Sequence, residues 1–133
     1  MIKIITILIT LFISTSLLAD GQYACVSSDV GGLNWESGSW KVSQFKPVHS
    51  LLSIKGGGRK AEYKAADDRL PSALNCSLTD LDFLKCSSDI TAINIVFNEK
   101  SLRGGISALF GSVSGDAKYK DSLYVMPITC QKF

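Results

Sequence analysis

Four cysteines constrain this chain more than any other feature: Cys25, Cys76, Cys86 and Cys130, with none earlier. They follow a segment, residues 1–19 (MIKIITILITLFISTSLLA), that carries one charge at Lys3, then Ile and Leu broken only by Thr and Ser, then Ala19. A basic start, an apolar stretch and a small residue at the cut form the layout of a secretory signal peptide. The expected destination is the periplasm or the exterior, where thiols oxidise. An even cysteine count in that setting reads as two disulfides. Three pairings are open. Cys76 and Cys86 are close enough for a hairpin staple. A Cys25–Cys130 bond would tie the ends of the mature domain and restrict the unfolded chain most, by about 4 kcal/mol in the chain-entropy picture. A zinc site is the rival, but it normally shows short C-x-x-C spacings, and none is present.

The leader has two other readings. An uncleaved anchor would carry a longer apolar core of about 20 residues. A lipoprotein signal needs Leu three positions before the modified cysteine, and Gln22-Tyr23-Ala24 before Cys25 does not supply it. Leu17 stands where a cleavage site prefers a small residue. Cleavage after Ala19 leaves about 114 residues, room for one domain over 20–133. The leader also accounts for much of the positive mean hydropathy, +0.20. The remainder holds no second apolar run long enough to span a bilayer. The chain's net charge is only +2. That argues against a nucleic-acid binder, which would show a strongly basic face.

Beyond the leader, period-two alternation replaces helical periodicity. Ile93, Ile95 and Phe97 alternate with Asn94 and Val96. Leu102, Gly104, Ile106, Ala108 and Phe110 fall on one face of a second run, and Tyr124, Met126, Ile128 and Cys130 on one face of a last strand. Gly104-Gly105 suggests a bulge or sharp bend. Strands are also expected over 23–27, 40–46, 51–55 and 59–65. A turn is expected at Gly31-Gly32, a hairpin loop between Trp35 and Trp40, and a hairpin tip at Gly56-Gly57-Gly58. Residues 67–81 read less clearly: a short helix capped by Ser77, or a hairpin around 79–82 bridged by Cys76 and Cys86. Residues 111–121 read as a polar loop. Seven to nine short strands with tight turns indicate an all-β fold, a small antiparallel meander barrel, with a β-sandwich as the alternative. Pairing Cys25 with Cys130 would close such a barrel and remove its edges.

Candidate chemistry is thin. His49 is the only histidine and has no catalytic motif around it. Asp67-Asp68, Asp80, Asp82, Glu36, Glu99 and Asp116 supply carboxylates. Glycoside hydrolysis needs two of them about 5–9 Å apart across a cleft, and a domain this small has little material for one. Gly56-Gly57-Gly58-Arg59-Lys60 lacks the Gly-Lys-Ser/Thr ending of a phosphate loop. It reads instead as a basic hairpin tip. Lys55, Arg59 and Lys60 there are candidates for contact with an acidic surface. Trp35 is the surface aromatic candidate, since tryptophan is enriched at binding hot spots. Trp40, which heads an alternating strand, is expected in the core, in a different environment from Trp35. No metal or cofactor site is indicated.

Tyr23-Ala24-Cys25, Gly32-Leu33-Asn34-Trp35, Phe97-Asn98 before Leu102-Arg103-Gly104, and Thr129-Cys130-Gln131-Lys132-Phe133 resemble a group of small exported bacterial and prophage-encoded β proteins. The shared motifs are structural and carry no activity. More loosely, a Tyr-x-Cys start and a late cysteine are similar to the periplasmic C-type lysozyme inhibitors, which are small β-barrels. The Ser- and Tyr-containing inhibitor loop of that family has no counterpart here. The resemblance implies the fold and the compartment.

Together these features lead to the expectation of a non-catalytic, exported β-barrel that binds another protein at the cell envelope, as an inhibitor or immunity-like factor. Alternatives are a carrier of a small apolar ligand in a lumen beside Gly104 and Ala108, and a small hydrolase. The hydrolase would need two converging acids, or His49 beside a buried acid.

Overall fold

A computed structural model describes residues 20–110 and 122–133. The expected leader and the expected 111–121 loop, with Asp116, lie outside the described residues. Ten strands occur among the described ones: β1 (Gly21–Ser27), β2 (Val30–Glu36), β3 (Ser39–Phe45), β4 (Val48–Lys55), β5 (Lys60–Ala65), β6 (Ser72–Leu78), β7 (Leu84–Ser87), β8 (Ile93–Asn98), β9 (Arg103–Ala108) and β10 (Leu123–Lys132). Eight of them form a closed antiparallel barrel, in the order β1-β4-β5-β6-β7-β8-β9-β10 and back to β1. The barrel is therefore the observed fold, not the sandwich.

Alternation decides what fills it. Tyr23 and Cys25, Leu52 and Ile54, Ile95 and Phe97, and Met126 and Ile128 are all buried, each pair drawn from one strand at spacing two. These side chains pack as one core cluster. Gly104 belongs to this packing. A Cβ there would lie 2.3 Å from the Val96 carbonyl and 3.1 Å from the Phe97 Cα. The glycine pair is not a bulge, because the β8–β9 and β9–β10 ladders both run through it without a slip. Its purpose at Gly104 is close approach of the neighbouring strand.

The register slip falls elsewhere. Val26 faces Thr129 and Gly31 faces Val125. The β1–β2 side thus spends one residue more than β10 over the same stretch, which is the definition of a bulge. The Ser27 hydroxyl donates to the Asp29 carbonyl inside it, at 3.1 Å. β1 with β2, and β3 with β4, form one long hairpin in a single register, from Gly21 opposite Ile54 to Glu36 opposite Ser39. Its root closes the barrel and its tip, β2–β3, continues past it as an arm. Ser37 (φ 50°) and Gly38 (φ 85°) make the two-residue turn, with both central residues left-handed as a type I′ hairpin requires.

Both disulfides are now placed. Cys25 and Cys130 face each other across β1 and β10, and Cys76 and Cys86 across β6 and β7. The 67–81 ambiguity resolves as the hairpin. Thr79 holds its turn, with its carbonyl accepting from Asp82 N and its hydroxyl from Phe83 N. Gly31-Gly32, expected as a turn, lies inside β2. A turn there would break the long hairpin, and the real reversal comes at Ser37-Gly38, where two left-handed residues allow it.

Candidate functional site

The two ends of the barrel are built differently. At the end where β1 starts and β10 finishes, Tyr23 donates its hydroxyl to Glu99 Oε1 at 2.6 Å. Lys132 Nζ lies 3.9 Å from the same carboxylate and 5.7 Å from the Tyr23 ring centre. The Tyr23 ring meets Phe97 edge-on at 5.1 Å. Burial, then the hydrogen bond and charge of Glu99, hold the Tyr23 phenol well above its ordinary pKa. This end is plugged by an aromatic pair under an ion pair. The β4–β5 turn sits here too. Gly56, Gly57 and Gly58 all have positive φ, and Gly57 N donates to Asp20 Oδ1 at 2.9 Å. Lys55 pairs with Glu62 at 3.0 Å. The basic tip is thus partly neutralised by Asp20 and Glu62, with Arg59 and Lys60 exposed beside it.

The opposite end, the mouth, carries the arm and a cleft. On the arm Trp35 and Trp40 are directly opposed and meet edge-on at 5.2 Å. They share one environment, and both are half-buried outside the core. That corrects the expectation that they would part and that Trp40 would enter the core: β3 leaves the barrel wall, so its alternation has no interior to face. Leu33 and Val42 form the next pair on the same face. That face continues onto the outside of β10 through Leu123, opposite Leu33, and Val125, opposite Gly31. Val42 is 88% exposed and Val125 63%. An ion pair, Lys41 with Glu36 at 3.9 Å, lies near the tip. At the root the strands nearly touch: a Cβ on Gly32 would sit 1.8 Å from the Leu123 carbonyl oxygen. A hydrogen bond from Ser122 Oγ to Asn34 Oδ1 ties β2 to the start of β10.

Trp35 and the Lys55, Arg59 and Lys60 group are therefore not one surface. The long hairpin puts Gly21 beside Ile54 at one end and Trp35 beside Trp40 at the other. Neither the sequence spacing nor the turn chemistry signalled that separation.

Between the arm root and the mouth lies a cleft of about 440 Å³. Val30 and Phe45 from the arm, Val48, Ala65 and Tyr124 from the barrel, and the Asp67-Asp68 loop form its walls. The loop is pinned by Ala66 N to His49 O (2.8 Å), Asp68 N to Ala65 O (3.0 Å) and Ala65 N to Asp68 Oδ2 (3.1 Å). One layer deeper are Ser50, opposite Ala65, and Tyr63, two residues inward from it. Both are buried, and neither Ser50 Oγ nor Tyr63 Oη has a hydrogen-bond partner. Burial pushes the Tyr63 phenol up to about 12; nearby Ser50 acts the other way, and Tyr124 and Asp68 add to the rise. Burial, then Asp68, also raises the Tyr124 phenol.

His49 lines this cleft together with Asp67 and Asp68. Both acids are exposed, adjacent in sequence and on one rim, and the His49 imidazole makes no hydrogen bond to either. Asp80 and Asp82 lie in the β6–β7 turn at the plugged end, and Glu36 lies at the arm tip. No group of three or more His, Cys, Asp or Glu suited to a metal occurs among the described residues. The cleft escaped the sequence reading because its walls come from four separated segments. The one available signal was the polar interruption Ser50 in an otherwise apolar inward face.

No protein family, curated protein or solved structure matches the chain.

Proposed function

We propose that the protein is an exported, non-catalytic binding module that engages another protein through its β2–β3 arm, in the manner of an envelope inhibitor or immunity-like factor. The observation that carries this reading is the arm itself. It is a hairpin projecting from a closed barrel, with Val42 almost fully exposed on an apolar face that runs onto Val125. Contiguous exposed apolar surface marks interaction sites. The barrel wall, the Gly32 contact and the Ser122–Asn34 bond hold the arm in place, which lowers the entropy lost on association. Two disulfides are in keeping with an oxidising, exported environment, and the leader supports export. The loose pairing of His49 with two exposed acids on one rim favours binding over hydrolysis.

The test is site-specific photo-crosslinking in envelope extract, with the probe at position 42 and, separately, at position 59. A protein captured from position 42 should bind the purified chain, and Val42→Glu should weaken that binding at least 10-fold while leaving the circular dichroism spectrum unchanged. Equal affinity for Val42→Glu, or capture from position 59 alone, would overturn the assignment to the arm.

A second reading, carriage of a small apolar ligand, finds its room at the mouth. Beside Gly104 the space is taken by Phe97.

A further inference from the structure

The geometry points to the mouth cleft as a binding site for a small organic cation with an apolar body. Its walls are apolar and aromatic, from Val30, Phe45, Val48 and Tyr124, and its rim holds two carboxylates, Asp67 and Asp68. Among the described residues, no lysine or arginine lines it. None of the ion pairs formed in the described residues involves either carboxylate, and Asp68 spends only Oδ2 on the backbone. The charge at the rim is therefore negative and open to a ligand.

A second observation is independent of those acids. Ser50 and Tyr63 are both more than nine-tenths buried, and their hydroxyls have no partner. Buried hydroxyls are nearly always hydrogen-bonded, and these two influence each other without a partner at full hydrogen-bond distance, which leaves them under-satisfied. Register sets their position. Tyr63 is opposite Leu52, and Ser50 is two residues nearer the mouth. Ser50 is directly opposite Ala65, which lines the cleft.

The polar complement as a whole is acceptor-rich. Among the described residues, the polar groups that line the cleft are two carboxylates, the His49 imidazole and the Ser122 and Tyr124 hydroxyls, with no lysine or arginine among them. An ammonium group offers three donors and a positive charge. The faces of Phe45 and Tyr124 attract a cation further through their ring quadrupoles. A carboxylate or phosphate ligand would meet repulsion from Asp67 and Asp68, and no lysine or arginine among the described lining residues offsets it. The volume, about 440 Å³, falls in the range of small-molecule sites.

The experiment is a pair of NMR titrations on the oxidised protein, with phenethylamine and with 3-phenylpropionate. They share an aromatic body and differ in the sign of charge. Phenethylamine should shift the amide signals of Phe45, Ala65, Asp68 and Tyr124 with a saturable, millimolar or tighter Kd, and 3-phenylpropionate should bind at least 10-fold more weakly. Asp67→Asn with Asp68→Asn, which keeps an oxygen to accept from Ala65 N, should weaken the amine at least 10-fold and leave the remaining spectrum in place. Tyr63→Phe should weaken it about 3-fold or more. Equal binding of the two probes, shifts centred away from the cleft, or no saturable shift with phenethylamine would overturn the assignment. So would full retention of amine binding in the double asparagine variant.

Discussion

Replacing Cys25 and Cys130 with alanine should destabilise the domain more than the same change at Cys76 and Cys86. The two bridges differ chiefly in loop length. Each joins directly opposed residues of adjacent antiparallel strands, and each packs against the core. Cys76 is only partly buried where the other three are buried, so the packing removed with two sulfur atoms is at least as large for Cys25 and Cys130 and acts in the same direction as loop length. The separations are 105 and 10 residues. The chain-entropy relation then gives about 4.8 kcal/mol for the long loop and about 2.7 kcal/mol for the short one at 25 °C, a gap of about 2 kcal/mol. A domain of this size has roughly 5–15 kcal/mol in total, so the long-loop variant should sit close to unfolding. Urea titration at about 15 °C, near the usual stability maximum, keeps both variants measurable. Far-UV circular dichroism reads the barrel directly. The Cys25/Cys130 variant should also show the larger rise in m, because its unfolded chain gains the greater freedom. An equal or greater loss for the Cys76/Cys86 variant would refute the loop-length reasoning.

Three further outcomes follow from single contacts. Gly32→Ala should cost about 1–3 kcal/mol, since its Cβ would overlap the Leu123 carbonyl, while Gly31→Ala, with nothing within 4 Å, should be near neutral; urea midpoints compare them. Tyr23→Phe should cost about 1.5–3 kcal/mol by removing the hydrogen bond to the Glu99 carboxylate, measured the same way at pH 7. Tyr63→Phe should be neutral or slightly stabilising at pH 7, because the lost hydroxyl has no partner. The buried tyrosines are held neutral in the fold, with Tyr63 raised to about 12. Their contribution is whole below the unfolded value near 10 and is lost as pH rises toward the folded value. Stability should therefore fall above pH 10 by up to about 1.4 kcal/mol per unit per tyrosine, and Tyr63→Phe should reduce that slope; denaturation midpoints between pH 9 and 11.5 test it.

Much of the barrel was legible because burial on one face writes itself into a strand at period two. Ile93, Ile95 and Phe97, or Met126, Ile128 and Cys130, announce both the strand and the side that faces inward. Cysteine spacing added the closure: Cys25 and Cys130 could meet only if the first and last strands of the domain were neighbours. The arm was illegible for the same physical reason. Its residues alternate, but no core lies behind them, so Trp40 has the pattern of a core residue without the burial. Gly31-Gly32 and Gly104-Gly105 looked alike in sequence and like turn or bulge signals. At Gly32 and Gly104 the structure uses the missing side chain for close backbone approach. The bulge fell at 27–30, where no glycine pair marks it. Pattern reports which residues are inside, and it does not report which strands outrun the barrel.

The asymmetry of the two ends narrows where function can sit. At the Tyr23 end the charged groups around the plug have partners inside the fold: Glu99 takes Tyr23 and Lys132, and Asp20 takes Gly57 N. The basic turn beside it spends Lys55 on Glu62. Such an end is stabilised by its own contacts, and exposed charges, Arg59, Lys60, Asp80 and Asp82 among them, lie on or beside the turns around it. The mouth is the reverse. Among the described residues its carboxylates form no ion pair, two of its hydroxyls are buried without partners, and its arm presents apolar surface to water. Each of these carries a cost in the isolated protein, from desolvated polar groups or from exposed apolar area. Costs gathered at one end of an otherwise well-satisfied barrel are what a binding site retains before its partner arrives. On that argument, substitutions that cost no stability but abolish binding should cluster at the arm and the mouth. Those that cost stability alone should cluster at the plug.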